Sequence, residues 1–268
     1  MNALNSILIV GCGNMGGAML QGWLAAGTDP AVFTVVDPVL PQAPEGVTLL
    51  REVPETGAFS TVLLGVKPQM LADVAPPVEH LVGPSTLLLS ILAGVELATL
   101  ANCFPRAAGH LRIMPNLAAA LGKSPIAVVG QGLDAAAKDG AEAFLAPLGS
   151  VEWLESEALM DAVTALAGSG PAFVYRFIDA LAAAATRLGL PAGQAERLAL
   201  STVEGASLLA SNAPHSPGEL ARRVASPGGT TQAGLDTLDR DGALSRLIEE
   251  TLRSARDRSA EMAAETRR

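Results

Sequence analysis

An apolar run at Ser6–Val10 (SILIV) leads straight into Gly11-Cys12-Gly13-Asn14-Met15-Gly16, and a helical pattern begins at about Asn14. This junction limits what the chain can fold into more than any other feature. A continuously apolar strand is buried on both faces, as in a parallel sheet covered by helices. In a GxGxxG turn of this kind the first glycine makes the tight turn and the second lets backbone approach a pyrophosphate. The third lets the helix pack on the strand. The helix start then offers unpaired N–H groups and the positive end of its dipole to phosphates. Asp37 follows 21 residues past Gly16, at the end of the next apolar run, where an acid can meet the ribose of a dinucleotide. A glycine turn of purely structural purpose is the alternative. The strand before, the helix after and the acid at this spacing favour a nicotinamide dinucleotide.

The same alternation continues through the first 150 residues. Val32–Val36, Thr61–Val66, Thr86–Leu92, Leu111–Met114 and Ile126–Val129 read as strands, with helical patterns between several of them. Right-handed crossovers make a doubly wound sheet the economical topology. From about Leu154 no strand-like run appears. Pro171 opens a helix ending near Gly189, and another spans about Ala192 to Ser211. Ser216-Pro217-Gly218-Glu219 is a capping box with proline at the first helical position. The last helix is expected from about Gly242 to Glu265, with Arg267 and Arg268 beyond it, where positive charge suits the dipole. Two domains are predicted, 1–152 and 153–268.

Between Asp179 and Arg187 lie seven residues without a charge. A helix apolar on every side is buried on every side, and a helical domain of about 115 residues has little surface to surround one. Burial against another chain is expected; an exposed alanine-rich helix is the alternative.

Apolar residues make up 49% of the 268 residues and charged ones 17%, with mean hydropathy +0.35, which excludes intrinsic disorder. Aromatics at 3% leave few stacking platforms for single-stranded nucleic acid, and a net charge of −9 argues against a phosphate-backbone binder. Neither predicted domain is basic. Cys12 and Cys103 cannot form a disulfide framework, no Cys/His set has metal spacing, and no metal is expected. The start of the chain has no basic segment and reaches Gly11 within a dozen residues, unlike a secretory signal. The most apolar stretch, Leu87–Ala101, is too short and polar to span a bilayer. A cytoplasmic protein is expected.

Further turns fall at strand ends, where open α/β sheets bind ligands. They are Gly65-Val66-Lys67-Pro68, Ser90-Ile91-Leu92-Ala93-Gly94 and Arg112-Ile113-Met114-Pro115-Asn116. Simple packing is the competing reading for each. In the helical part, Gly168-Ser169-Gly170-Pro171 and Ser226-Pro227-Gly228-Gly229-Thr230-Thr231 precede helices. Successive N–H groups at such starts suit a carboxylate. His80, His110 and His215 lie in no motif and read as structural, and Cys12 reads as a small packing residue.

Taken together, GCGNMG, VKP at 66–68, AGV at 93–95, RIMPN at 112–116, GSGPAF at 168–173 and VASPGGTTQAGLDTLD at 224–239 resemble pyrroline-5-carboxylate reductase, nearly end to end. The resemblance implies an N-terminal Rossmann domain, a doubly wound and mostly parallel sheet, and a C-terminal all-α dimerisation domain. The partner it implies is a second copy, with dimers built into rings. It implies NAD(P)H as cofactor, lined by Val10, Gly11, Cys12, Gly13, Asn14, Met15, Gly16, Asp37, Gly65, Val66, Lys67, Pro68, Ile91, Leu92 and Ala93. It puts the substrate carboxylate on Gly228, Gly229 and Thr230, the Thr231 hydroxyl at the ring nitrogen in a catalytic part, and Ser169 and Glu157 near the substrate. Leu117-Ala118 replace the Thr-Pro that often follows MPN in the family, and Arg222-Arg223 replace less basic residues.

Reduction of a cyclic imine needs a hydride donor held within about 3–3.5 Å of the imine carbon. An imine already protonated on nitrogen needs no strong acid beside it. Two other readings stand beside this one. A hydroxyacid or 6-phosphogluconate type of dehydrogenase normally relies on a lysine in the helical domain, and residues 153–268 contain none. A non-catalytic dinucleotide-binding protein has no reason to keep SPGGTT. The family commonly uses NADPH, yet Asp37 is followed by Val39, Leu40, Pro41, Gln42 and Ala43, with the first arginine at Arg51. A 2′-phosphate partner usually stands just after the second strand, so NADH is the expected preference.

Overall fold

The computed structural model describes residues 6–266; Arg267 and Arg268, expected beyond the last helix, lie outside them. An eight-stranded sheet forms from β1 (Ile7–Val10), β2 (Phe33–Val36), β3 (Thr48–Leu50), β4 (Thr61–Leu64), β5 (Leu87–Ser90), β6 (Gly109–Met114), β7 (Ser124–Gln131) and β8 (Gly149–Trp153). The order is β3-β2-β1-β4-β5-β6-β7-β8. All neighbours are parallel except β6 and β7, which pair antiparallel with Ile113 opposite Val128. The strand order reverses beside β1, with β2 on one side and β4 on the other, and such a switch point is where ligands of these sheets bind.

Alternate residues of β1 enter separate cores, which is why the run is apolar throughout. Ile7 and Ile9 pack with α1 (Asn14–Ala25) and α4 (Ala135–Leu145) through Met19, Leu20, Trp23, Phe144 and Leu145. Leu8 and Val10 pack with α2 (Leu71–Glu79) and α3 (Leu97–Cys103) through Leu71, Ala75, Val78, Leu97 and Leu100. Trp23 stacks on Phe144 at 4.4 Å between centroids, and its indole N–H donates to the Phe144 carbonyl at 2.7 Å. The doubly wound, mostly parallel sheet is therefore as expected.

β3 and β8 were not anticipated. β3 is three residues long, and β8 alternates half-buried with exposed positions, so neither presents a continuous apolar run. After β8 the chain forms α5 (Met160–Val163) and a π-helical stretch at Thr164–Gly168. Met160 is fully buried in the core beside α2 and α3. The chain divides into two compact units. One runs to Gly168 and takes in the chain from Ala255 onward, and the other is Ser169–Ser254. The predicted 152/153 division falls at the end of β8.

The second unit contains α6 (Gly170–Arg187), α7 (Ala192–Asn212), α8 (Pro217–Val224), α9 (Thr230–Asp239) and the first half of α10 (Ala243–Thr266). The capping box at α8 is half made. The Ser216 hydroxyl accepts from the Glu219 N–H at 3.3 Å, while the Glu219 carboxylate pairs with Arg222 and Arg223. Among the described residues no helix is long and apolar enough to cross a membrane.

Candidate functional site

β1 delivers the chain to Gly11 at the carboxyl edge of the sheet. Gly11 has φ +87°, and a Cβ there would lie 2.7 Å from the Val66 side chain and 2.8 Å from its backbone nitrogen. The Gly11 N–H donates to the Val36 carbonyl at 2.9 Å, which holds the turn between β2 and the Gly65–Pro68 segment. A Cβ on Gly16 would meet the Gly11 carbonyl oxygen at 2.8 Å, so the first turn of α1 sits directly on the loop. Gly13 is the contrast, because a Cβ there would meet nothing within 4 Å. Its open side is where an incoming group can approach the backbone.

Gly13 is also the N-cap of α1. No side chain caps the helix there, and no acid stands in its first turn. The N–H groups and the positive dipole end are left for an external anion. They border a cleft of about 570 Å³ lined by Cys12, Gly13, Asn14, Gly17, Ala18, Gln21, Asp37, Val39, Leu40 and Pro41. A dinucleotide fits this chemistry, with open backbone for phosphates and a carboxylate at the far wall.

Asp37 is buried and turned onto the loops it joins. One carboxylate oxygen accepts from the Cys12 N–H at 2.9 Å, and the other accepts from the Val39 and Leu40 N–H groups at 2.9 and 3.0 Å. Burial pushes its carboxyl up, but these three N–H groups and the charge of Arg51 outweigh burial and hold it below the ordinary carboxylate value. Arg51 folds back over the turn, its guanidinium donating to the carbonyls of Asp37, Leu40 and Pro41. Burial, and then the Asp37 charge, raise the Cys12 thiol to about 11, so it stays protonated and unreactive at neutral pH.

The other predicted cofactor residues follow the edge. Gly65 N–H donates to the Val10 carbonyl and Ile91 N–H to the Leu64 carbonyl, so the turns after β1, β4 and β5 lie side by side. Val10 and Leu92 have buried side chains and present only backbone, Met15 packs against the core, and Lys67 is exposed beside half-buried Pro68. Asn116 is a brace: its side chain accepts from Ala118 N–H and donates to the Ala167 carbonyl. Glu157 Oε1 accepts from the Leu97 N–H at 2.9 Å and from Arg112 at 3.1 Å.

Gln21, Gly17, Ala18 and the 39–41 turn were missed from the sequence. Asn14, Gly17, Ala18 and Gln21 stand at i, i+3, i+4 and i+7, so helical periodicity held that signal.

Within the second unit, Gly228 has φ +71° and Gly229 is the N-cap of α9, with no side-chain cap and no acid in the first turn. Thr230 and Thr231 are exposed at this open helix start. The start of α8 is closed by Ser216, whereas no side chain caps the start of α9, where the Gly229 N–H donates to the Ser226 carbonyl. Ser169 precedes α6 with helical dihedrals and no capping bond. Among the described residues no group of three or more His, Cys, Asp or Glu side chains could hold a metal.

A family model described as pyrroline-5-carboxylate reductase dimerisation matches residues 157–262. A pyrroline-5-carboxylate reductase of Pseudomonas aeruginosa is 36% identical over 265 residues, covering 96% of each chain. A solved pyrroline-5-carboxylate reductase from Coxiella burnetii superposes with TM-score 0.89 at 29% identity, covering 96% of this chain and 98% of that one. A Plasmodium falciparum pyrroline carboxylate reductase with NADP bound shares the fold, at TM-score 0.82 and 22% identity, covering 96% of this chain and 98% of that one.

Proposed function

Since the chain belongs to the pyrroline-5-carboxylate reductase family, we propose that it reduces 1-pyrroline-5-carboxylate to L-proline with a reduced nicotinamide dinucleotide. The observation that carries this reading is the uncapped start of α1, opening beside Gly13 onto a cleft walled by Asp37. The backbone N–H groups at Gly13–Met15 bind the pyrophosphate, and the Gly65–Pro68 and Ile91–Ala93 turns support the rest of the cofactor. When bound, the cofactor supplies the hydride that reduces the imine carbon. The reaction consumes one proton and yields proline and the oxidised cofactor.

In the second unit, the N–H groups at Gly228 and Thr230 hold the substrate carboxylate, helped by the dipole of α9, while the Gly229 N–H donates to the Ser226 carbonyl at 2.9 Å and fixes the turn. The Thr231 hydroxyl orients the ring nitrogen and relays to it the proton that the reaction draws from water, and Ser169 contacts the substrate. Glu157, expected near the substrate, has its Oε1 bonded to the Leu97 N–H and to Arg112. The functional division we propose is a dinucleotide-binding part at 1–152 and a substrate and dimerisation part at 153–268. The exposed apolar face of α6, with Val174, Tyr175, Phe177 and Leu181, supports a homodimer. Both cysteines are free thiols, which suits the reducing cytoplasm.

The test is oxidation of NADH or NADPH by the purified protein with 1-pyrroline-5-carboxylate, with proline measured as product. Proline formed in step with cofactor oxidised is expected; binding without turnover overturns the reading. Thr231→Val should lower turnover roughly 10–100-fold, the lower part of what a positioned proton-relay group contributes. Wild-type turnover in that variant would remove Thr231 from the mechanism.

We infer a preference for NADH. Asp37 walls the cleft, and a 2′-phosphate meeting its charge costs on the order of several kcal/mol. Arg51 favours the second reading, NADPH, because its guanidinium lies over the same turn, although it is bonded to three carbonyls. A kcat/KM higher with NADPH than with NADH would overturn the preference.

A further inference from the structure

Arg112 is buried at the carboxyl half of β6, and its guanidinium meets a single carboxylate, that of Glu157. Its Nε is buried and has no hydrogen-bond partner among the described residues. A pair of a buried cation and a partly exposed carboxylate, with one buried donor left over, adds little stability, because desolvation of the cation offsets the attraction. Such a pair calls for another explanation than stability.

The other partner of Glu157 supplies one. Its Oε1 accepts from the N–H of Leu97, the first residue of α3. Glu96 at the N-cap forms no side-chain cap, so a carboxylate 60 residues further along caps this helix. Leu97 ends the turn that leaves β5 at Ser90, the turn whose Ile91–Ala93 backbone is proposed to line the cofactor. The middle of that turn is fixed too. Gly94 has φ +75°, and a Cβ there would lie 2.9 Å from the Ala263 Cα at the end of α10. Ser259 of the same helix end donates to Asp161, four residues past Glu157.

We propose that Glu157 is a positioning residue for the cofactor, not a substrate contact: it fixes the Ile91–Leu97 turn through the Leu97 N–H, and Arg112 holds its carboxylate in place. The inference rests on the functional reading above, in which Ile91–Ala93 borders the cofactor. Glu157 acts by accepting one hydrogen bond, so an uncharged acceptor suffices once the cation is also removed.

Two paired variants isolate that bond. Arg112→Met/Glu157→Gln removes both charges and keeps an acceptor for Leu97. Arg112→Met/Glu157→Leu removes both charges and the acceptor. Cofactor affinity is read without substrate, by quenching of intrinsic fluorescence with NADH and NADPH, and amide exchange is read at Leu97. The Leu variant should bind cofactor about tenfold more weakly than the Gln variant, equivalent to about 1.4 kcal/mol. Its Leu97 amide should exchange faster, with the two melting temperatures alike. Equal cofactor affinity in the two variants overturns the inference, as does an equal rise in KM for the imine alone, which would make Glu157 a substrate contact. If either pair fails to fold, Glu157→Gln and Glu157→Leu alone, each compared by Leu97 exchange and cofactor affinity, carry the same contrast. A wild-type protein that binds neither cofactor overturns the functional reading, and this inference with it.

Discussion

Trp23 near the end of α1 and Tyr175 near the start of α6 are large aromatics on helices, and they meet opposite fates. Trp23 is fully buried between Phe33 and Phe144, while Tyr175 is 67% exposed, with Phe177, Leu181 and Val174 exposed around it. The contrast extends to the units that hold them. The first unit buries continuous strands on both faces. The apolar residues buried in the second are Ala182, Ala195 and Ala199. Leu188, Leu198, Leu200, Leu208, Leu209, Leu247 and Ile248 stay on the surface. Contiguous exposed apolar patches of this kind mark interaction sites. The first unit thus carries its own core, and the second is proposed to complete its core with a second copy.

The largest effect that can break this comparison is a charge in the exposed stripe of α6. Leu181→Glu should abolish assembly and give monomeric or insoluble protein, since an unpaired charge enters a proposed dimer core. A soluble, active dimer by light scattering would place the interface elsewhere. A cavity in the first unit comes next. Trp23→Ala removes a fully buried ring and its bond to the Phe144 carbonyl, and should cost about 3–5 kcal/mol in denaturant unfolding. Tyr175→Ala in an isolated subunit would cost far less, and an equal loss would erase the distinction.

The smallest effect concerns Asp37, whose folded carboxyl lies below its unfolded value. Its contribution is present above about pH 4, the unfolded value, and is lost as pH falls through the folded value. Asp37→Asn should cost about 1–3 kcal/mol at neutral pH, as for a buried charged acceptor, and should flatten the acid limb of the stability profile. An unchanged acid limb would mean that Asp37 does not tie the loops together.

What was legible in the sequence was what local geometry determines. Gly11 and Gly16 announce a turn because only glycine tolerates the φ of the first and the close approaches of both, and β1 announces burial because both faces are covered. Asp37 was legible as a wall of the site, but its orientation was not. That depends on where the Cys12, Val39 and Leu40 N–H groups point, which no spacing encodes. Arg51 was visible only as the first arginine after β2, and its return over the turn is a tertiary fact. β8 was missed because its alternation looks unlike the continuous runs of the central strands. Residues 157–168 look helical and are helical, yet Met160 packs on the sheet core, a contact that periodicity cannot assign. The Arg112–Glu157–Leu97 connection spans 60 residues of chain and leaves no local signature.

The most direct test joins the chemistry to the comparison. Purified protein is separated by mass, and each fraction is assayed for NAD(P)H-dependent conversion of 1-pyrroline-5-carboxylate to proline. The account predicts that all reductase activity travels with species of dimer mass or larger. Activity in a monomeric fraction, or an assembled protein that binds cofactor and forms no proline, would contradict it.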